Sequence, residues 1–167
     1  MSESIHEQLA ALSSEVARLR RFADLAEITQ LIAAYGPLVD SGSATATAAL
    51  WTEGGSYSVG GLLELSGRAA IEEMVHSEMH QGFIQNGAGH VLTSPAVTVH
   101  DDGTAVAYNH SLLITADGDG FAIHRLTANK WLLARTDAGW QVTQRVNHVL
   151  DGQPAARELL GEVAGAR

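Results

Sequence analysis

The hydrophobic positions of the first forty residues form two stripes with helical spacing. The first stripe recurs at alternating steps of four and three residues and consists of Ile5, Leu9, Leu12, Val16 and Leu19. The second consists of Leu25, Ile28, Leu31, Ile32 and Tyr35, and Gly36-Pro37 is expected to end that helix. Residues 1–21 are therefore predicted to form a helical arm, which could pack on its own domain or against a second subunit.

The middle of the chain predicts shorter elements. An Ala/Thr-rich helix should end near Trp51, and two glycine pairs, at 54–55 and 60–61, bracket a short strand that turns into the segment LLEL. A third helix is predicted from Arg68 to Met79, because its apolar residues recur at helical spacing.

From residue 90 the hydrophobic period changes from helical spacing to two, which is typical of strands. The predicted strands are HVLTSPAVTVH, TAVAYNHSLLITA, FAIHRLTANKWLLAR and WQVTQRVNHVL, and the turns between them contain Asp and Gly. Helices followed by a long antiparallel meander indicate an α+β domain over residues 22–150. Residues 151–167 are predicted to be a C-terminal tail that is either a short helix or frayed.

Composition narrows the function classes. A chain of 167 residues fits one domain, and its formal net charge of −9 argues against a nucleic-acid binder, which needs clustered Lys and Arg. Cysteine is absent, so neither disulfides nor thiolate chemistry are expected. The acidic, alternating N-terminus does not resemble a signal peptide, and no apolar run approaches the length of a membrane span. A cytoplasmic location without membrane partners is the expectation.

Polar residues on faces that should be buried are the candidate functional groups, because each needs a partner or a role. Tyr35 and Asp40 lie five residues apart across the predicted helix break, so both could point into one cavity mouth. His110 shares its strand face with apolar residues, Asn129 does the same on the next strand, and His90 opens the first long strand. Each residue taken singly could equally be a hydrogen-bonded core residue, but together they supply the groups of an acid/base site.

Two further histidines are spaced four residues apart on the third predicted helix. His76 and His80 follow Glu72 on one helix face, an arrangement that could bind a metal. Glu78 stands at the wrong offset for a zinc-protease motif, so a solvated polar face is the favoured interpretation and no metal site is predicted.

Several segments resemble the nuclear transport factor 2-like superfamily in its SnoaL-like branch. They are LIAAYGPLVDSG, the helix start SGRAAI, the strand start GHVLTSPAVTV and the closing NKWLLARTDAGWQV, and the resemblance extends over about residues 20 to 150. It implies a cone-shaped, cystatin-like α+β barrel in which three N-terminal helices pack on a curved, mixed and mostly antiparallel sheet. Within the superfamily, the segments are most similar to dehydratases typified by scytalone dehydratase and bile-acid 7α-dehydratase.

The resemblance assigns site residues. Scytalone dehydratase has an aspartate after its first helix, histidines on two successive strands and an asparagine before an Asp-Gly hairpin. The residues at those places here are Asp40, His90, His110 and Asn129. In the bile-acid enzyme a tyrosine precedes the aspartate by five residues, as Tyr35 does here.

Three more residues complete the predicted substrate-binding set with Asn129. Arg145 is similar in place to an arginine of the bile-acid site, Tyr57 matches a pocket tyrosine loosely, and Trp51 is the third predicted residue of this set. Val39 stands where scytalone dehydratase has a tyrosine directly before its aspartate, so the substrate is left open.

The implied activity is dehydration, without cofactor or metal, of a hydroxylated carbonyl compound of steroid, polyketide or aromatic type. His110, oriented by Asp40, would move the α-proton to the departing hydroxyl, which His90 would assist, while Tyr35 and Asn129 would polarise the carbonyl.

One alternative is an isomerase of the ketosteroid type or a polyketide cyclase, which can rely on a carboxylate base alone. Another is a non-catalytic ligand-binding or dimerisation module, which predicts a blocked cavity and no hydrogen bond between Asp40 and His110. The family also implies a homo-oligomer, either a dimer or a trimer, formed through the open sheet face.

Overall fold

A computed structural model describes residues 2–61 and 63–166. The helices in these residues are α1 (Ser2–Asp40), α2 (Ala44–Ala48), α3 (Arg68–His76), α4 (Glu78–Asn86), α5 (Pro154–Gly161) and a final 3₁₀ turn (Glu162–Ala164). The strands are β1 (Trp51–Val59), β2 (Leu63–Ser66), β3 (Ala88–Leu92), β4 (Ala96–Val99), β5 (Thr104–Asp117), β6 (Gly120–Thr136) and β7 (Gly139–Val149). The α+β class predicted from the hydrophobic periods is confirmed, with five α-helices in the described residues.

The strands form one curved, mixed sheet in the order β2-β1-β7-β6-β5-β3, and β4 pairs with β5 beyond the end of β3. All pairings are antiparallel except that of β1 with β7. The predicted single strand HVLTSPAVTVH is in fact the two strands β3 and β4. Pro95 lies between them, where it has no ladder hydrogen bond to break.

The two faces of the sheet are covered by different helices. The main core lies on the inner face, where Ile28 and Ile32 of α1 and Ile71 of α3 pack against residues such as Trp131 and Val142. The outer face is covered in part by α5, whose side chains form a second, smaller core. That core consists of Val106, Tyr108, Ala128, Ala156 and Leu159.

The first helix is continuous for 39 residues, so the predicted stop at Gly36-Pro37 is wrong. A proline inside a helix removes one hydrogen bond and costs about 3 kcal/mol, but tertiary packing on this segment outweighs that cost. Gly36 is part of the reason, since a Cβ at this position would lie 2.3 Å from the carbonyl oxygen of His90. The absence of a side chain lets α1 approach β3 closely.

The predicted helix from Arg68 to Met79 is divided at Ser77. The backbone of Ser77 is extended, with φ −59° and ψ 148°, and its hydroxyl accepts a hydrogen bond from the amide of His80 at 3.3 Å. Ser77 therefore ends α3 and caps the N-terminus of α4. Because the helix is divided, α4 runs in a different direction from α3. The residues of α4 that face inward therefore differ from those predicted for one continuous helix.

The N-terminal part of α1 leaves its apolar stripe exposed, although Arg21 contacts Asp101 of the domain at 3.7 Å. Residues 4–23 are all exposed, whereas Ile28, Ile32, Tyr35 and Val39 are buried. The prediction that the arm could pack on its own domain is therefore wrong for this stretch. Of the helices in residues 2–61 and 63–166, none has the combination of length and apolar character needed to cross a bilayer.

Candidate active site

An aspartate–histidine pair lies where α1 ends beside β3. Asp40 is the last residue of α1, and its Oδ1 lies 2.6 Å from Nδ1 of His90. Its Oδ2 accepts a hydrogen bond from the backbone amide of His90 at 2.7 Å. A carboxylate only accepts, so Nδ1 carries the hydrogen and Nε2 is the nitrogen with a free lone pair. The histidine is thus held in one tautomer and one orientation.

The predicted pair of Asp40 with His110 does not form, because His110 lies on the other side of the sheet. Along β5 the side chains alternate, and His110 shares the outer face with Val106 and Tyr108. Its neighbour Asn109 points inward and accepts a hydrogen bond from the indole of Trp131 at 3.0 Å. The alternation of side chains along β5 correctly predicted that His110 shares a face with apolar residues. That face is covered by α5 and does not face the cavity.

A cavity of about 430 Å³ opens next to the Asp40–His90 pair. Its apolar lining comes from β1, β2, α3 and α4, and consists of Val59, Leu63, Leu65, Ala70, Met74, Met79 and Phe83. Its polar lining consists of Tyr35, Tyr57, Glu73, Ser77, His80, His90 and Arg125. The cavity is the size of a ligand of a few fused rings, and its lining is half apolar and half polar by residue count.

Two tyrosines line the cavity together with His90. The rings of Tyr35 and His90 meet edge to face at 6.2 Å, and those of Tyr35 and Tyr57 at 6.4 Å. Burial, followed by the neighbouring Tyr57, raises the pKa of the Tyr35 hydroxyl above its usual value, and the lowering effect of Arg145 is smaller. Tyr35 therefore keeps its proton at ordinary pH and remains a hydrogen-bond donor.

Tyr57 is oriented by Asn147, a residue that the sequence analysis missed. Nδ2 of Asn147 donates to the Tyr57 hydroxyl at 2.9 Å, and Oδ1 of Asn147 accepts from the amide of Gly60 at 2.5 Å. Asn147 thereby fixes the position of the Tyr57 oxygen, and the Tyr57 hydroxyl can still donate its own hydrogen. The alternation of the last strand, which places Asn147 on the face of Arg145, was the available signal.

Arg145 and Asn129 lie behind the cavity wall and do not line it. Arg145 is 2% exposed, and its Nε and one terminal nitrogen both donate to Oδ1 of Asn129 at 3.1 and 2.8 Å. The guanidinium lies 4.1 to 4.5 Å from the ring centres of Tyr35, Tyr57 and Trp131. Its other terminal nitrogen has no hydrogen-bond partner among the described residues. The Arg145 guanidinium thus makes cation–π contacts with the two cavity tyrosines on the side away from the cavity.

Trp51, another predicted substrate-binding residue, is fully buried in the core and does not line the cavity. Its ring stacks on Tyr57 with 5.9 Å between centres, and its indole nitrogen donates to the carbonyl of Ser56 at 3.2 Å. Trp51 therefore supports the ring of Tyr57. It can affect a bound ligand only indirectly, through Tyr57.

A second cavity histidine comes from α4. His80 was predicted to lie on a solvated helix face, but it is 6% exposed and lines the cavity. Its Nε2 lies 2.8 Å from the carbonyl oxygen of Val39, and its ring centre lies 5.7 Å from that of His90. A carbonyl only accepts, so Nε2 donates and satisfies one of the last carbonyls of α1. His76 is exposed and Glu72 bonds Thr45, so the possible metal face is not assembled.

Comparison with known proteins identifies the family and the fold of the chain. The family model of the SnoaL-like domain matches residues 20–146, and the chain belongs to that family. An NTF2-like protein with a cystatin-like fold from Novosphingobium aromaticivorans is 44% identical, with a TM-score of 0.87 over 89% of this chain and 96% of that chain. The fold is therefore NTF2-like, as the sequence predicted.

More distant structures share the fold alone. Aln2 from a Streptomyces species is 21% identical over 75% of this chain and 90% of its own, with a TM-score of 0.68. ActVI-ORFA from Streptomyces coelicolor is 21% identical over 77% and 98% of the two chains, with a TM-score of 0.66. The comparison with curated proteins found no match.

Proposed function

We propose that this protein is a cofactor-independent dehydratase that acts on a hydroxylated, carbonyl-bearing cyclic substrate of steroid, polyketide or aromatic type. The observation that carries the proposal is the hydrogen bond of 2.6 Å between Asp40 and Nδ1 of His90 at the wall of an open cavity. It leaves a basic nitrogen, Nε2, for a bound substrate. His90 thus takes the role that the sequence analysis gave to His110.

The proposed reaction begins with proton transfer. Nε2 of His90 takes the proton α to the substrate carbonyl, and the electrons of the broken C–H bond move toward the carbonyl oxygen as an enolate. The enolate then re-forms the carbonyl while the β-carbon–oxygen bond breaks. The imidazolium returns its proton to the departing hydroxyl, so the products are a conjugated enone and water.

The enolate oxygen is the group that needs stabilisation in this sequence. Tyr35 and Tyr57 are both cavity-lining donors, and the buried positive charge of Arg145 lies 4.2 Å from the centre of the Tyr35 ring. Fixed donors in a site shielded from water stabilise developing negative charge without reorganising. In the proposed binding mode the carbonyl oxygen lies at these hydroxyls and the α-carbon lies toward His90, which lines the same cavity.

An isomerase or cyclase would use the same first step and differ in the fate of the proton. An isomerase returns the proton to another carbon of the substrate and releases no water. A non-catalytic binder is disfavoured by the open cavity and by the fixed tautomer of His90, although the missing bond between Asp40 and His110 is what the binder interpretation predicted.

The experiment is an assay of β-hydroxy ketones of one to four rings, followed by the absorbance of the conjugated enone. We expect His90→Gln to lower turnover by at least about 100-fold, the lower range for loss of a general base. His110→Gln is the matched control and should retain wild-type turnover, because that side chain lies on the outer sheet face. Equal turnover of the wild type and His90→Gln would contradict the proposal, and isomerised product without water loss would favour the isomerase.

A further inference from the structure

The N-terminal stripe of α1 has no partner within the described domain. The stripe consists of Ile5, Leu9, Leu12, Val16 and Leu19, whose exposed fractions are 57, 56, 61, 38 and 55%. Residues 4 to 20 are all exposed, which is about 25 Å of helix at 1.5 Å per residue, and Arg21 contacts the domain through Asp101 at 3.7 Å. An isolated helix of this length is marginal in water, and a continuous apolar stripe on it marks an interaction surface.

The spacing of the stripe is that of a coiled-coil seam. Steps of four, three, four and three residues place Leu9 and Val16 at a positions and the other three at d positions of a heptad. A β-branched residue at a, here Val16, combined with leucine at d favours a two-stranded parallel coil. The family model begins at residue 20, so the whole seam lies outside the shared domain.

The charges beside the seam fit a second copy of the same helix. In this register Glu15 occupies a g position and Arg20 the following e position. In a parallel, in-register pair each g residue faces the e residue five positions later on its partner. Glu15 of each chain would then meet Arg20 of the other. In the single chain Glu15 bonds its own Arg18 at 2.6 Å, but both side chains are about half exposed and free to exchange partners.

We propose that residues 5–19 form a parallel, in-register, two-stranded coiled coil with the same segment of a second copy of this chain. The occupant is identified by self-complementarity, because one register satisfies both the apolar seam and the Glu15–Arg20 pairs. A membrane surface is disfavoured as the occupant, since the chain carries a net charge of −9 and the seam is narrow.

The first test uses a matched pair of variants of the full chain in sedimentation equilibrium. Leu12→Glu places two charges in the seam and should weaken the dimer at least about 100-fold. Ser14→Glu places the same charge at an outward f position and should leave the dimer unchanged. A monomeric wild type, or equal weakening by both variants, would overturn the proposal. So would a monomer that binds lipid vesicles through this helix.

The second test fixes direction and register. The chain has no cysteine, so a single Leu19→Cys reports only on its own neighbour. In the parallel coil it should oxidise to an interchain disulfide, because residue 19 faces its own copy, whereas Ser14→Cys should not. Cross-linking only between Ile5→Cys and Val16→Cys chains would indicate an antiparallel pair, in which a positions face d positions, and would overturn the proposed register.

Charge reversal gives a third, independent result. Glu15→Arg and Arg20→Glu should each weaken the homodimer, because like charges then face each other twice. A mixture of the two variants restores both attractive pairs and should form heterodimer above the statistical half, as measured by native mass spectrometry. A statistical mixture would overturn the assignment of these two residues to facing positions.

Discussion

The substitution Asp40→Asn isolates the role of the carboxylate, because asparagine has nearly the same shape. Asp40 accepts two hydrogen bonds from His90, one from Nδ1 at 2.6 Å and one from the backbone amide at 2.7 Å. An asparagine has one accepting atom and one donating group. If its oxygen keeps the backbone amide, its NH₂ faces Nδ1, and the imidazole must place its hydrogen on Nε2. The basic nitrogen in the cavity is then lost.

The expected loss follows from what a general base contributes. A positioned acid/base group supplies about 10²- to 10⁴-fold in rate, so we expect kcat of Asp40→Asn to fall about 1000-fold, or about 4 kcal/mol. KM should change little, since neither Asp40 nor the proton on His90 forms the apolar part of the cavity.

The assay is the initial rate of enone formation on the best substrate of the panel, with His110→Gln as the control. The unfolding curve of Asp40→Asn in urea separates loss of chemistry from loss of fold. A kcat within threefold of the wild type, in a protein whose unfolding is unchanged, would refute the assignment of Asp40 as the residue that orients His90.

The remaining predictions concern the Tyr35 hydroxyl, the contact of Gly36 with β3, and the ion pair of Glu162 after the C-terminal helix. Tyr35→Phe should lower kcat about 100-fold with a small effect on KM, because it removes one donor to the enolate; unchanged kcat would exclude that role. Gly36→Ala should destabilise the protein by about 1–3 kcal/mol in urea unfolding, since its Cβ meets the His90 carbonyl; wild-type stability would contradict the close contact. The hydrogen bond from Lys130 holds the pKa of Glu162 below its usual value. The stabilisation from this hydrogen bond is fully present above the pKa that Glu162 has in the unfolded protein. It is lost as the pH falls through the lower pKa that Glu162 has in the folded protein. The stability difference between the wild type and Glu162→Gln should therefore shrink from pH 7 to pH 3, and a constant difference would argue against this ion pair.

The convergence of Asp40, His90, Tyr35 and Tyr57 on one site was predictable, because the spacing of the sequence matched a family pattern. The role of His110 was not. A period of two shows which residues share a strand face, but not which face is the interior. Val106 and Tyr108 are apolar because α5 covers them, and that cover comes from sequence distant from the strand.

Local signals also failed where packing outweighed them. Gly36-Pro37 normally ends a helix, but here the contact of α1 with β3 continues the helix through it to Asp40. His80 was missed because the break at Ser77 was not recognised. The serine directly before Glu78 is a helix-start signal, and it would have divided α3 from α4 and turned His80 inward.

The ring nitrogens of His90 report directly on whether Asp40 fixes this histidine with its basic nitrogen toward the cavity. In ¹⁵N-labelled protein at pH 8, long-range proton–nitrogen spectra distinguish the protonated from the bare ring nitrogen, and His90→Gln assigns the signals. We expect a hydrogen on Nδ1 and a bare Nε2 in the wild type, with the reverse in Asp40→Asn. A wild-type His90 protonated at Nε2, or one whose tautomer is unaffected by Asp40→Asn, would show that Asp40 does not set the tautomer.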